Sequence, residues 1–272
     1  MNDADARWRD GDIDGARAAL VARLKAAPAD IPTRMFLFQL MALAGDWDKA
    51  RTQLDTLARL SPAAQMLAVA YGQAIDAERQ RAAALAGEGE GEGEVPVLAR
   101  GGDWIDDLAA ALTLGARGER AAAIARRDAA LDAAPDTAGT LRAAGLDQPV
   151  AFDWIADADP RFGPALEAIV GGRWGLLPFD AIETLTSDGP VDLRDTIWFP
   201  AEVRLRAGGS IAAMLPARYP GSHAAPDVAQ RIGKRTDWDA AGNGIGQRVL
   251  MMSGGEEVGL MAVRRLHFGA QA

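Results

Sequence analysis

Gly45-Asp46-Trp47-Asp48-Lys49-Ala50 opens a stretch that closes at Pro62, and its reading decides the first half of the chain. The same marks stand at Gly11-Asp12-Ile13-Asp14-Gly15-Ala16, closing at Pro28, and at Gly118-Glu119-Arg120-Ala121-Ala122-Ala123, closing at Pro135. In each, Ala follows Gly by five residues and Pro follows it by seventeen, and the first two glycines are 34 residues apart. That period belongs to the tetratricopeptide repeat, a two-helix unit. The physics agrees with the spacing. Gly permits the left-handed turn that ends one helix, an acidic residue suits the start of the next, and Pro stops the second helix. Between the marks the apolar residues recur at helical spacing, Ala16, Leu20 and Leu24 in one unit and Ala50, Leu54 and Leu57 in the next.

Outward from this stretch the array is irregular. The leading helix of the first unit is short, with Trp8 as its main apolar residue, and that of the second spans about 33–44. A helix apolar nearly all round is either buried or offers a stripe to a partner. Leu37, Phe38 and Met41 fall where the unit packs on its own second helix. Met35, Gln39, Ala42 and Leu43 then face a groove, with Ile105, Leu108 and Leu112 as equivalents in the third unit. Such a groove suits the apolar face of an amphipathic helix. The alternative is that these side chains only pack on the long helix expected over 62–86 or on the remainder of the chain. After that helix, Gly87-Glu88-Gly89-Glu90-Gly91-Glu92-Gly93-Glu94 has no apolar face and repels itself, so a disordered loop is expected over 87–95.

Past Pro149 the pattern changes. Asp159-Pro160 reads as a helix start and Gly171-Gly172 as its end. Short strands are expected at 174–178, 182–186, 201–206, 210–215, 246–252 and 257–268, the last broken near Val263. Ala207-Gly208-Gly209 and Ser253-Gly254-Gly255-Glu256 are expected hairpin turns. The fold class is therefore α+β: a helical-hairpin domain over 1–148 and a small β-rich domain with one leading helix over 149–272, each with its own core.

Composition narrows the functions. The chain is 49% hydrophobic and 25% charged with a net charge of −9, ordinary for a globular protein and repulsive to nucleic-acid phosphates. It holds no Cys, which excludes disulfides, thiolate nucleophiles and Cys-ligated metals. Met1-Asn2-Asp3-Ala4-Asp5 is too acidic for a signal peptide, and the apolar run 35–44 is about half a membrane span, so a cytoplasmic protein with no membrane insertion is expected. His223 and His267 are the two histidines. Gly242-Asn243-Gly244-Ile245-Gly246 precedes an expected strand, whereas a dinucleotide loop must precede a helix. Asp153, Asp157 and Asp159 have the chemistry to hold a hard cation but read better as solvated carboxylates of a helix-entry loop. Neither a cofactor nor a metal nor a catalytic residue is expected.

Several segments carry a resemblance. They include Phe152-Asp153-Trp154-Ile155-Ala156-Asp157-Ala158-Asp159, Arg161-Phe162-Gly163-Pro164, Leu177-Pro178-Phe179 and Asp192-Leu193-Arg194-Asp195. Arg218-Tyr219-Pro220-Gly221-Ser222, Arg235-Thr236-Asp237-Trp238 and Gly246-Gln247-Arg248 continue the series, with Met35-Phe36-Leu37-Phe38-Gln39-Leu40 and Gly45-Asp46-Trp47 in the first half. Together they resemble the ImpE/SciE/TagJ family of type VI secretion accessory proteins. The resemblance implies a non-catalytic adaptor beside the contractile sheath, with a helix of the small sheath subunit as its partner and modulation of the AAA+ ATPase that recycles contracted sheaths. Two rival readings stand beside it: an enzyme using the 218–223 loop with the acidic 153–159 segment, and a structural subunit of a larger assembly.

Overall fold

The computed structural model describes residues 3–88 and 94–269. The expected Gly/Glu loop falls mostly on 89–93, outside the described residues. Its flanks are anchored: the Glu88 amide donates to the Ala83 carbonyl, and the Val95 amide to Thr113 Oγ1.

Helical hairpins fill the first half. Helices α1 (Asp3–Arg9) and α2 (Ile13–Ala26) form one, α3 (Ile31–Leu43) and α4 (Trp47–Leu60) the next, and α6 (Trp104–Ala116) and α7 (Arg120–Ala133) the third, with the long α5 (Gln65–Ala86) between them. The hairpin turns are where the sequence places them. Gly11, Gly45 and Gly118 have φ of +80°, +72° and +81°, the left-handed geometry that lets the chain reverse at once. The side chain of Asp12 accepts the Gly15 amide and that of Asp30 accepts the Thr33 amide, satisfying donors that the first turns of α2 and α3 leave free.

The second half is built on one eight-stranded antiparallel sheet. Its strands are β1 (Gly139–Ala143), β2 (Val150–Phe152), β4 (Ala165–Val170), β5 (Arg173–Pro178), β6 (Ile182–Thr186), β7 (Trp198–Leu205), β8 (Ser210–Pro216) and β13 (Val263–Phe268), in the order β2-β1-β13-β6-β7-β8-β4-β5. A three-stranded sheet of β3 (Ile155–Asp157), β11 (Val249–Met252) and β12 (Glu257–Gly259) and a ribbon of β9 (Thr236–Trp238) and β10 (Gly244–Gly246) complete it. Residues 96–98 lie along β5, with backbone bonds between Leu98 and Leu176 and between Leu176 and Pro96, which covers that sheet edge. The expected hairpins at 207–209 and 253–256 are present, and the break at Val263 is real.

Three expectations are corrected. The helix expected to run from Asp159 to Gly171 is strand β4 instead, and Gly171-Gly172 turns it into β5. The run Ala165–Val170 shows no alternation because both its faces are buried, and such a run is indistinguishable from a buried helix by period. Leu166 and Ala168 face the core of the β half, while Ala165 and Ile169 face the helices. The sheet also begins at Gly139, inside the span 1–148 assigned to the helices. Nor do the halves own separate cores. One cluster lies between the sheet's inner face and the three-stranded sheet, but the other joins Leu37, Phe38, Leu43 and Ile75 of the helices to Ile169, Trp174, Leu176 and Trp198 of the sheet.

Candidate partner-binding site

The junction between the halves is held by buried charge. Arg81 on α5 grips Glu167 on β4 with two parallel bonds, Nε to Oε1 and Nη2 to Oε2, both 2.8 Å, and also reaches Glu78 Oε2 at 3.3 Å. Arg248 stands between Asp157 and Glu167, paired with both, and stacks over the Phe162 ring 4.4 Å from its centroid. Trp174 Nε1 donates to Glu167 Oε1 at 2.9 Å, Trp198 Nε1 to Glu78 Oε1 at 3.2 Å and the Tyr219 hydroxyl to Asp157 Oδ1 at 2.8 Å. Arg218 completes the set through the carbonyls of Leu43, at the end of α3, and Arg231. Glu78, Asp157 and Glu167 thus face Arg81, Arg218 and Arg248, and all six are buried.

The electrostatics follow. Burial pushes the Asp157 carboxyl up to about 6 despite the pull of Arg248. Glu167 is buried as well, but two guanidiniums, Arg81 and Arg248, hold it below the usual carboxylate range. Arg218 touches no carboxylate, and burial lowers it to about 10, with the nearby charge of Glu78 easing the shift.

This network absorbs most of the candidate chemistry. Asp157 belongs to it, and Asp159 accepts the Arg161 and Gly244 amides and pairs with the Arg161 side chain; Asp153 is exposed and separate. In the 218–223 loop, Ser222 is buried and its hydroxyl donates to the Tyr219 carbonyl and accepts the Gly246 amide. His223 packs against Gly45, and burial with Arg218 nearby lowers its pKa. His267 sits on β13 between Thr140 and Thr184, and its Nδ1 has no partner among the described residues. Among the described residues no group of three or more His, Asp or Glu is arranged to hold a metal.

The groove expected on α3 and α6 is not open. Ala42, Leu43, Ile105, Leu108 and Leu112 are buried in the shared core, and only Met35 and Gln39 are partly exposed. The reason is the β half itself: α5 and α6 pack on β5, α3 meets the turn at 193–196, and Trp47 and Tyr71 stack on Trp198 at 6.0 and 5.5 Å. The side that a free repeat array offers to a ligand is covered from within the chain. An open cleft of about 640 Å³ lies elsewhere, between α5 and the outer face of the sheet. Sequence reading missed it, although Met66 and Val69, three apart on an expected helix with no partner named for them, were its signal.

Comparison with known proteins agrees with this architecture. The model of the family described as "ImpE protein" matches residues 149–267. The type VI secretion system accessory component TagJ of Pseudomonas aeruginosa is 39% identical over 266 residues, covering 97% of this chain and 90% of that protein. A crystal structure of a Vibrio parahaemolyticus protein superposes with a TM-score of 0.83 at 19% identity, covering 98% of each chain, which establishes the fold alone. With more than a third of its residues shared with TagJ along nearly its whole length, the chain belongs to the ImpE/TagJ family of type VI secretion accessory proteins.

Proposed function

We infer that this protein is a cytoplasmic adaptor of a type VI secretion system, which binds a helix of the small sheath subunit and modulates recycling of contracted sheaths by the AAA+ ATPase. The observation that carries the reading is the likeness to TagJ, an accessory component, across both the helical and the β half. The fold is compatible with it: a shared core and a buried ionic network join the two halves, so that both can present surface to one partner. No helix among the described residues is long and apolar enough to cross a membrane. Co-purification from a host that carries the secretion cluster tests the reading. The small sheath subunit is expected to co-purify in stoichiometric amount, and recovery of neither it nor the ATPase sinks the proposal.

The enzyme reading has one observation in its favour, the meeting of Tyr219 from the 218–223 loop with Asp157 from the acidic segment. Both groups are buried and engaged in the junction. Replacing His223 and His267 together by Asn separates the readings: an adaptor keeps secretion and partner binding, an enzyme that uses either histidine loses secretion while binding persists.

A further inference from the structure

The cleft has an apolar rim that the fold leaves uncovered. Ala70, Gln73 and Ala74 of α5 form one wall, Pro200 and Glu202 of β7 with Ala212 of β8 lie across from them, and the 186–191 segment closes one end. The three most exposed large hydrophobic side chains among the described residues are Val191 at 88%, Met66 at 80% and Val69 at 58%. Val191 lines the cleft directly. Met66 and Val69 extend the α5 wall, since 66, 69, 70 and 73 follow the i, i+3, i+4, i+7 spacing of one helix face. Single apolar residues on a surface need no explanation, whereas three beside an unfilled cleft mark an interaction site.

The form of the guest follows from the backbone. The cleft lies on the face of the sheet, where β7 is paired with β6 and β8 and β8 joins β4 at Met214, so it offers a guest side chains and not an open strand edge. A guest on this face must bring a backbone already satisfied, which an α-helix does. Ala70, Ala74 and Ala212, with Gly171 and Gly172 at the end of β4, leave room for its larger side chains. The charge of the guest follows from the rim. Asp188 and Glu202 line the cleft, and neither side chain has a salt bridge or hydrogen bond among the described residues. Arg264, the cation of the lining, has its guanidinium engaged by the carbonyls of Met261 and Val263.

We propose that the cleft between α5 and the outer face of the sheet is the docking groove for an amphipathic α-helix of a protein partner, its apolar stripe on Met66, Val69 and Val191 and its Lys or Arg flank on Asp188 and Glu202. The proposal rests on the adaptor reading and gives it a site. Its test uses the full chain, with purified small sheath subunit as probe. V69E/V191E is expected to weaken binding at least about tenfold, and D188K/E202K to weaken it less and to reduce its salt dependence. Ile124→Glu, at another exposed apolar position on α7, leaves affinity unchanged. All the replaced side chains are exposed, so melting temperatures stay within about 2 °C of wild type. Wild-type binding that V69E/V191E retains overturns the groove while the adaptor reading stands. Absence of wild-type binding overturns that reading and the guest named here with it. A dimeric wild type that V69E/V191E renders monomeric, seen by sedimentation, assigns the groove to a second copy and overturns the guest.

Discussion

The helical half and the β half reach a folded state by opposite routes. In the first, neighbours in sequence are neighbours in space, each hairpin closing over a short turn around Gly11, Gly45 or Gly118. In the second, local hairpins exist, but the sheet also joins β1 to β13 and β4 to β8, and the smaller sheet joins β3 to β11, so distant segments must meet before the sheets are complete. Local contacts form cheaply and distant ones carry the entropy of closing long loops. Yet the locally built half is not the independent one. Its apolar surface is completed by Trp174, Leu176 and Trp198 from the sheet, and its buried Arg81 and Glu78 find their partners there. Local folding and self-sufficiency are different properties.

The sharpest way to break this comparison is to remove one member of the junction. Glu167→Ala leaves Arg81 and Arg248 buried without their shared carboxylate, a loss of about 3–5 kcal/mol in denaturant unfolding. Helical circular dichroism and tryptophan fluorescence are expected to fall together in one earlier transition. Two separated transitions in the wild type mean that the halves do not share a core.

A smaller effect separates the two kinds of position on α3. Leu43 is 1% exposed, so Leu43→Glu buries an unpaired charge and costs several kcal/mol, whereas Gln39→Glu, partly exposed, shifts the melting temperature by little. Equal shifts for the pair contradict the covered face of the array. At Gly45 the local geometry is the target. Ala there must take φ of +72°, and its Cβ meets the His223 ring at 2.8 Å, so Gly45→Ala costs about 1–2 kcal/mol and shifts the His223 imidazole resonances.

The smallest effect is a slope. Asp157 titrates near 6 in the folded protein against 3.8 for an ordinary Asp, so the folded state binds its proton more readily across that window. Its contribution therefore weakens stability as pH rises from about 4 to 6, while Glu167, held low, adds stability that disappears only as pH falls below its ordinary range. Asp157→Asn, a neutral stand-in for the protonated acid, is expected to remove the downward slope between 4 and 6, read from urea midpoints. An unchanged slope assigns it to other groups.

These contrasts also explain what could be read from the chain. The hairpin turns and strands β7 and β8 were legible because local chemistry sets them, left-handed glycines in one case and alternation on either side of Gly208-Gly209 in the other. Strands β1 and β2 were not, since Gly139–Ala143 gains its order from the distant β13 and the three-residue Val150–Phe152 pairs with β1 alone. Strand β4 was read as a helix because burial on both faces erases its period. The same blindness misplaced the site. Nothing around Leu43, Leu108 or Leu112 announces that strands from the other half will cover them, so an apolar helix was read as open to a partner.

The pairing of β1 with β13 has a consequence for biosynthesis. On the ribosome the helical hairpins emerge first and can coil as they appear, but the strand that lies between β1 and β6 is translated long after both. Until it arrives the nascent chain carries an unfinished sheet, with β1 and β6 unjoined and the core that Val263, Leu266 and Phe268 complete still open. Such a partly built sheet exposes apolar surface and unpaired strand edges, so the speed of elongation through the last strands bears on the yield of native protein. Slowing translation downstream of β8 lengthens that exposed interval, and synonymous codon changes there are a means of measuring it.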